Sequence, residues 1–218
     1  MVYQDLFDAI RNCKGAERCW GATNPPLLHP VVVPCLGKPD IMLVTEQRPA
    51  SKDKSLIMEL IEQKQTNSRK GIIPTLEKFF KSMGGFLNDL DEDQGGFQRI
   101  YWTHFLKCPG VIRKKKATAD LQACANKWLI EELTRLKPRI VVTMGANASK
   151  WFLQQANYKK DWRERIWEEF EAIIQEKPLP TLSFDSKQIL LIVAPHPSGV
   201  NPLKWFNEKL AILLSRNI

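Results

Sequence analysis

The sequence predicts an α/β fold in three layers, α/β/α, with a central sheet of four mostly parallel strands. Short apolar runs of the kind that form buried parallel strands alternate with segments of helical periodicity. The alternation occurs four times along the chain, and this repetition favours a parallel sheet that helices cover on both faces.

The predicted strands are rich in β-branched, aliphatic and aromatic residues, and they span residues 41–44, 100–106, 140–143 and 189–194. The predicted helices span residues 3–12, 54–63, 74–83, 118–136, 147–153, 162–174 and 202–214. Thr118 is expected to cap its helix, and Pro138 marks the end of that helix. We expect loops at residues 13–39, 84–98 and 195–199.

Length and charge narrow the class of protein. A chain of 218 residues can bury a core of its own, and we interpret residues 1–218 as a single domain. The net charge is +8, which fits a polyanionic partner such as nucleic acid but fits a merely basic enzyme equally well. No apolar run reaches the roughly 20 residues of a membrane span, and residues 1–10 lack an apolar signal core. We therefore expect a cytoplasmic protein without a membrane segment.

Three of the predicted strands are followed by unusual polar residues. Glu46 follows the first, Lys107 and Cys108 follow the second, and His196 with Ser198 follow the last. Ligands of open α/β sheets bind beyond the carboxyl ends of the strands. The sequence therefore predicts that these loops converge on one site.

Four cysteines form two pairs, Cys13 with Cys19 and Cys108 with Cys124. Four thiolates suit an iron–sulfur cluster or a zinc ion, and neither pair has the tight spacing that structural zinc sites prefer. Four unconnected buried thiols are the alternative. Cys35 stands apart and is expected to be a plain buried or loop thiol.

Several motifs follow one another along the chain. Residues 41–49 read Ile-Met-Leu-Val-Thr-Glu-Gln-Arg-Pro, and residues 101–108 read Tyr-Trp-Thr-His-Phe-Leu-Lys-Cys. Residues 138–145 read Pro-Arg-Ile-Val-Val-Thr-Met-Gly, and a late His-Pro-Ser at residues 196–198 completes the series, which covers about residues 10–210. Together these segments resemble the iron–sulfur, family 4 type of the uracil-DNA glycosylase superfamily, which has a strand and a Gly-Glu-Ala-Pro-Gly-like loop in place of residues 41–49.

The resemblance implies a DNA repair enzyme that hydrolyses the N-glycosidic bond of uracil or another deaminated base after flipping it out of DNA. It implies a 4Fe–4S cluster, a single- or double-stranded DNA partner, and a monomer that works in the cytoplasm with the nucleoid. The implied ligands of the cluster are Cys13, Cys19, Cys108 and Cys124.

The expected catalytic pair is His196, which would stabilise the leaving base, and Glu46, which would position the water. Gln47 and His104 are expected to contact the base, and Ser198 a neighbouring phosphate. The basic run that would track the DNA backbone is Arg113, Lys114, Lys115 and Lys116. Ordinary structural roles are the alternatives: a loop histidine, a turn cap, a solvated acid and a solvated basic loop.

The chain departs from the family pattern in three places. The loop at residues 46–49 has one residue more, His104 stands in place of a base-reading asparagine, and no stacking phenylalanine is evident. Phe79 and Phe80 lie on a predicted helix and are expected to be core residues.

These departures leave other functions open. One is a non-catalytic iron–sulfur protein that binds nucleic acid, and another is an unrelated zinc-stabilised α/β enzyme. A covalent uracil binder would need a histidine in a basic loop, and residues 68–71 contain none.

Overall fold

The computed structural model describes residues 3–13, 32–46, 56–66, 72–107, 118–158 and 179–196. In chain order, the longer elements are α1 (Gln4–Arg11), β1 (Ile41–Thr45), α2 (Leu56–Thr66), α3 (Ile73–Phe79), β2 (Leu90–Asp91), β3 (Gly96–Phe97), β4 (Ile100–His104), α4 (Thr118–Leu136), β5 (Ile140–Met144), α5 (Ala146–Gln155), β6 (Thr181–Phe184) and β7 (Lys187–Ala194). Short 3₁₀ turns at Lys81–Met83 and Leu87–Asp89 complete the described elements.

The central sheet has the strand order β4-β1-β5-β7-β6. The first four strands are mutually parallel, and β6 pairs antiparallel with β7. The predicted α/β class and mostly parallel sheet are confirmed, but the predicted count of four strands is wrong.

The missed strand is β6, an edge strand whose exposed Thr181 and Ser183 flank the buried Leu182. Its connection to β7 is a two-residue turn, Asp185-Ser186, in which both residues have positive φ, 47° and 61°. Two-residue hairpin turns usually contain a glycine, because their central residues need positive φ. Neither a continuous apolar run nor a glycine marks this one in the sequence.

The small sheet of β2 and β3 lies within residues 84–98, which were predicted to be loop. The helices predicted at residues 74–83 and 147–153 are present with shifted ends, and the one predicted at residues 54–63 is present and continues to Thr66. The helices predicted at residues 162–174 and 202–214 lie outside the described residues.

Alternate residues of the strands pack into two apolar clusters, one on each face of the sheet, as expected where helices cover both faces. Met42 and Val44 face the cluster that α1, α4 and α5 complete, whereas Ile41 and Leu43 face the cluster of α2 and α3. Phe79 and Phe80 belong to the second cluster and are fully buried, so the expectation that they are core residues is confirmed. Cys35 is also buried, as expected.

Candidate active site

The ends of the four parallel strands lie side by side at one edge of the sheet. Thr45 pairs with His104 on one side and with Met144 on the other, and Met144 pairs with Ala194. Glu46 follows Thr45 directly, and His196 follows Ala194 by two residues. The parallel pairing thus brings the residues after β1 and β7 to the same edge.

Backbone hydrogen bonds tie these strand ends together. Phe105 donates its N–H to the carbonyl of Thr45 at 2.7 Å, and Leu106 donates to the carbonyl of Glu46 at 3.0 Å. Gly145 donates to the carbonyl of Ala194 at 2.8 Å. The edge that carries the candidate residues is therefore a hydrogen-bonded row rather than a set of separate loops.

Glu46 is half-buried against the first turn of α5. Its Oε1 accepts the backbone N–H groups of Asn147 at 2.7 Å and Ala148 at 3.2 Å, and its Oε2 accepts the side-chain amide of Asn147 at 3.0 Å. A carboxylate is favoured there because it satisfies unpaired N–H groups at the positive end of the helix. Burial raises the pKa of Glu46, and the three hydrogen bonds oppose that rise.

Gly145 makes the close approach of Glu46 possible. Its φ of 113° lies in a region that other residues rarely adopt. A Cβ atom at this position would lie 2.3 Å from Cγ of Glu46. A side chain at residue 145 would therefore collide with the candidate catalytic carboxylate.

His196 is half-buried and follows the buried Pro195. Burial lowers the pKa of His196 because it disfavours the charged imidazolium. The ring is therefore neutral at pH 7, a state in which one nitrogen donates a hydrogen bond and the other accepts one.

His104 is buried, with 3% of its surface exposed, on the α2–α3 face of β4. Its ring stacks on that of Trp102, with centroids 5.9 Å apart and planes 14° apart. Trp102 donates its indole N–H to the hydroxyl of Thr45 at 3.0 Å. His104 thus lies at the predicted edge as part of a packed aromatic pair.

A buried ion pair lies behind this edge, on the α4 face of β4. Lys107 and Glu132 are 1% and 0% exposed, and Nζ of Lys107 lies 2.7 Å from Oε2 of Glu132. Lys107 also donates to the hydroxyl of Thr103 at 2.5 Å and to the backbone carbonyl of His104 at 2.9 Å. Tyr101 and Thr103 donate their hydroxyls to Oε1 of Glu132 at 2.6 and 2.9 Å.

The sequence reasoning noticed Lys107 but missed Glu132, Tyr101 and Thr103 as its partners. Glu132 occupies a position on the apolar stripe of α4, between Leu129 and Leu136, which are both buried. A carboxylate at such spacing is a signal of a buried partner, because an isolated charge in a core is costly. Burial, followed by the charge of Glu132, raises the pKa of Tyr101 well above its usual value.

Two of the predicted cluster cysteines each accept a hydrogen bond from an N–H group, one from a side chain of α4 and the other from the backbone after β4. Cys13 Sγ accepts the indole N–H of Trp128 at 3.3 Å, and Cys124 Sγ accepts the backbone N–H of Lys107 at 3.5 Å. Cys124 and Trp128 lie one turn apart on α4. N–H donors directed at sulfur suit thiolate ligands, so the described part of the site fits an iron–sulfur cluster.

Several predicted residues lie in the parts of the chain that the structure leaves undescribed. These are Cys19, Cys108, Gln47, Ser198 and the basic run Arg113, Lys114, Lys115 and Lys116. Cys108 is nevertheless the residue directly after Lys107, which contacts Cys124. Among the described residues, no three candidate ligands gather at one point, so the four-cysteine ligand set stays a prediction.

The family model of the Uracil DNA glycosylase superfamily matches residues 35–213. The match covers most of the chain, and the chain belongs to this superfamily. It begins after Cys13 and Cys19 and therefore does not bear on the iron–sulfur subtype. In the described residues, every helix is too short or too polar to cross a bilayer.

Proposed function

We propose that this protein is a monofunctional DNA glycosylase of the iron–sulfur family 4 type, which hydrolyses the N-glycosidic bond of uracil or another deaminated base. The observation that carries the proposal is the placement of Glu46 and His196 at one edge of the sheet in a chain of this superfamily. A carboxylate and a neutral imidazole are the two groups that such a hydrolysis needs.

The chemistry divides between the two residues. The bond between C1′ and the base nitrogen breaks with its electron pair on the base, and the oxygen of a water molecule bonds to C1′. His196 donates a hydrogen bond to the developing base anion, a task for which its lowered pKa keeps the ring neutral. Glu46 orients the water through a remaining lone pair and accepts its proton.

The other predicted residues would bind the DNA. Flipping exposes the base to Gln47 and to His104, whose ring nitrogens offer one donor and one acceptor. Ser198 would bond the phosphate beside the flipped nucleotide. Arg113, Lys114, Lys115 and Lys116 would contact further phosphates, each contact contributing about 0.9 to the salt-dependence slope on duplex DNA.

A 4Fe–4S cluster held by Cys13, Cys19, Cys108 and Cys124 would act as a structural clamp and take no part in the hydrolysis. Cys13 lies two residues after the end of α1, and Cys124 belongs to α4. The clamp would therefore fix the N-terminal helix and the start of α4 to the loop after β4, which leads from His104. We propose that the protein works as a monomer in the cytoplasm, associated with the nucleoid.

The decisive experiment uses labelled oligonucleotides that carry uracil, hypoxanthine or no lesion, as single strands and as duplexes. Alkali cleaves the abasic sites that a glycosylase leaves, so a shorter labelled product reports base release. His196→Ala is expected to lose the activity. Gln188→Ala, a change at an exposed position of the same strand β7, is the matched control and should keep it.

A non-catalytic nucleic-acid-binding protein is the second candidate. It is favoured by the packing of His104 on Trp102 and by the engagement of both Glu46 oxygens with α5. Intact uracil and hypoxanthine sites in the wild-type reactions, together with tight and salt-sensitive DNA binding, would refute the enzyme and support this candidate.

A further inference from the structure

We infer that the buried ion pair of Lys107 and Glu132 is a positioning device for His104, so that both are positioning residues for base recognition. This inference rests on the proposed function, because it concerns the residue that is proposed to read the base. Lys107 and Glu132 themselves are buried at 1% and 0% exposure and reach no substrate.

The geometry of Lys107 carries the first step. Its ammonium group directs three hydrogen bonds, to Glu132, to the hydroxyl of Thr103 and to the backbone carbonyl of His104. The carbonyl of His104 belongs to the last residue of β4, beyond which the ladder with β1 ends. Backbone hydrogen bonds from Phe105 and Leu106 fix the chain just after His104, and Lys107 adds a side-chain bond to the His104 carbonyl itself.

Glu132 supplies a fixed anchor for this arrangement. Its Oε1 accepts the hydroxyls of Tyr101 and Thr103, and its Oε2 accepts Lys107, so both oxygens are held. Glu132 lies within the 19-residue helix α4, which packs along the sheet. The His104 carbonyl is thereby connected, through Lys107 and Glu132, to a long helix that packs on the sheet.

On the other face of β4, the His104 ring is stacked on Trp102, and Trp102 is bonded to Thr45. Backbone and ring of His104 are thus fixed from opposite faces of the sheet. A buried ion pair is weak evidence for added stability, because apolar side chains of the same size often replace such a pair without loss. Lys107 also donates a hydrogen bond to the carbonyl of His104, and apolar side chains in place of the pair could not make this bond.

The double variant Lys107→Met/Glu132→Gln distinguishes an effect on the position of His104 from an effect on the stability of the protein. It removes both buried charges, keeps the side-chain volumes, and leaves the glutamine oxygen to accept the hydroxyls of Tyr101 and Thr103. The single variant Lys107→Met leaves a buried carboxylate uncompensated, and its melting temperature is expected to fall by about 10 °C. The double variant should recover most of that loss.

Two readouts report the position of His104 in the double variant. The ring ¹⁵N resonances of His104 should shift or broaden, and the single-turnover rate of base release should fall on the order of 100-fold, since small misplacements in a site cost that much. The matched control is Lys137→Met/Asp185→Asn, which makes the same kind of change in an exposed ion pair away from the site. It should leave both readouts unchanged.

A double variant with recovered stability, unchanged His104 resonances and an unchanged rate would overturn the inference and reduce the pair to a structural role. If the double variant does not fold, Thr103→Val decides in its place, because it removes a hydroxyl that bonds Lys107 and Glu132 without changing charge. It should shift the His104 resonances, and unchanged resonances would overturn the inference. Absence of base release by the wild-type protein refutes the proposed function alone, and the resonances still test the positioning.

Discussion

Glu46 and Asn147 are joined by two hydrogen bonds, one to the backbone N–H and one to the side-chain amide of Asn147, across 101 residues of sequence. These bonds hold the candidate catalytic carboxylate at the positive end of α5. They also link the residue after β1 to the first turn after β5. The charge state and placement of Glu46 therefore depend on the helix that it caps.

The first prediction concerns Glu46→Gln. Glutamine has a single acceptor oxygen, and its amide group would face the N–H donors of Asn147. The rate of base release should fall on the order of 10²–10⁴-fold, as expected for loss of a group that accepts a proton in the transition state. Single-turnover kinetics on the oligonucleotide that the wild-type protein cleaves would measure this. A rate within threefold of wild type would exclude Glu46 from the chemistry.

The raised pKa of Glu46 gives a second measurement on the same pair of proteins. The pKa of Glu46 in the folded protein lies above its usual 4.5. At pH values between 4.5 and the folded pKa, the folded protein therefore binds more protons at Glu46 than the unfolded chain does. The contribution of Glu46 to stability therefore falls as pH rises through that window and stays reduced above it. Urea unfolding of wild type and Glu46→Gln across this range should show the fall in wild type only.

Gly145→Ala is predicted to disturb both folding and the site. The new Cβ atom would collide with Glu46, and the φ of 113° is strained for alanine. We expect a loss of at least about 1–3 kcal/mol in the free energy of unfolding, together with reduced base release. Urea unfolding and the cleavage assay would measure both.

Gly37→Ala is the matched control for that change. A Cβ atom at residue 37 meets its nearest neighbour, the carbonyl oxygen of Gln98, at an ordinary 3.7 Å. Its stability should stay within about 1 kcal/mol of wild type, since it adds neither a clash nor a buried polar group. Equal losses in the two alanine variants would contradict the role assigned to Gly145.

The parallel part of the fold could be predicted from sequence because β1 and β5 are mostly apolar and β-branched, with all five positions of each strand buried. Edge strand β6 could not, because its polar residues and its Asp185-Ser186 turn carry no such pattern. Edge position removes the need for apolar side chains on both faces.

The candidate site likewise has a part that the sequence predicts and a part that it does not. That Glu46 and His196 lie at one edge follows from the parallel direction of the strands, which the alternation of strands and helices in the sequence predicts. The partners of Glu46 on α5 depend on tertiary packing over a long sequence separation, and no local pattern encodes them. Glu132 is an intermediate case, because its place on an apolar stripe was visible in the sequence.

His196 is predicted to titrate below its usual value of 6.5 in the folded protein, because burial disfavours its charged form. Between the folded pKa and 6.5 the unfolded chain binds more protons at this residue. The contribution of His196 is therefore fully present above pH 6.5 and is lost as pH falls through the folded pKa. Ring resonances of His196 followed by NMR from pH 8 to 4 would give the midpoint, and a midpoint above 6.5 would contradict the assignment of a neutral donor.

The last prediction separates a cluster ligand from an ordinary buried thiol. Cys13 accepts an indole N–H from Trp128, which lies one turn from Cys124 on α4, whereas Cys35 donates its thiol to the carbonyl of Gln98. Burial raises the pKa of Cys35 to about 11, so this thiol is protonated at neutral pH, and its bond to Gln98 already engages it as a donor. Protein purified without oxygen should be brown and contain about four iron atoms per chain if four thiolates bind a 4Fe–4S cluster.

Cys13→Ser should lose most of this iron and its visible absorbance, and Cys35→Ser should keep both. Iron analysis and absorbance on the two variants, purified in parallel, make the comparison. Equal iron in both variants would remove Cys13 from the ligand set. If the wild-type protein contains zinc instead of iron, the four thiolates bind a zinc ion rather than an iron–sulfur cluster, because they suit either metal.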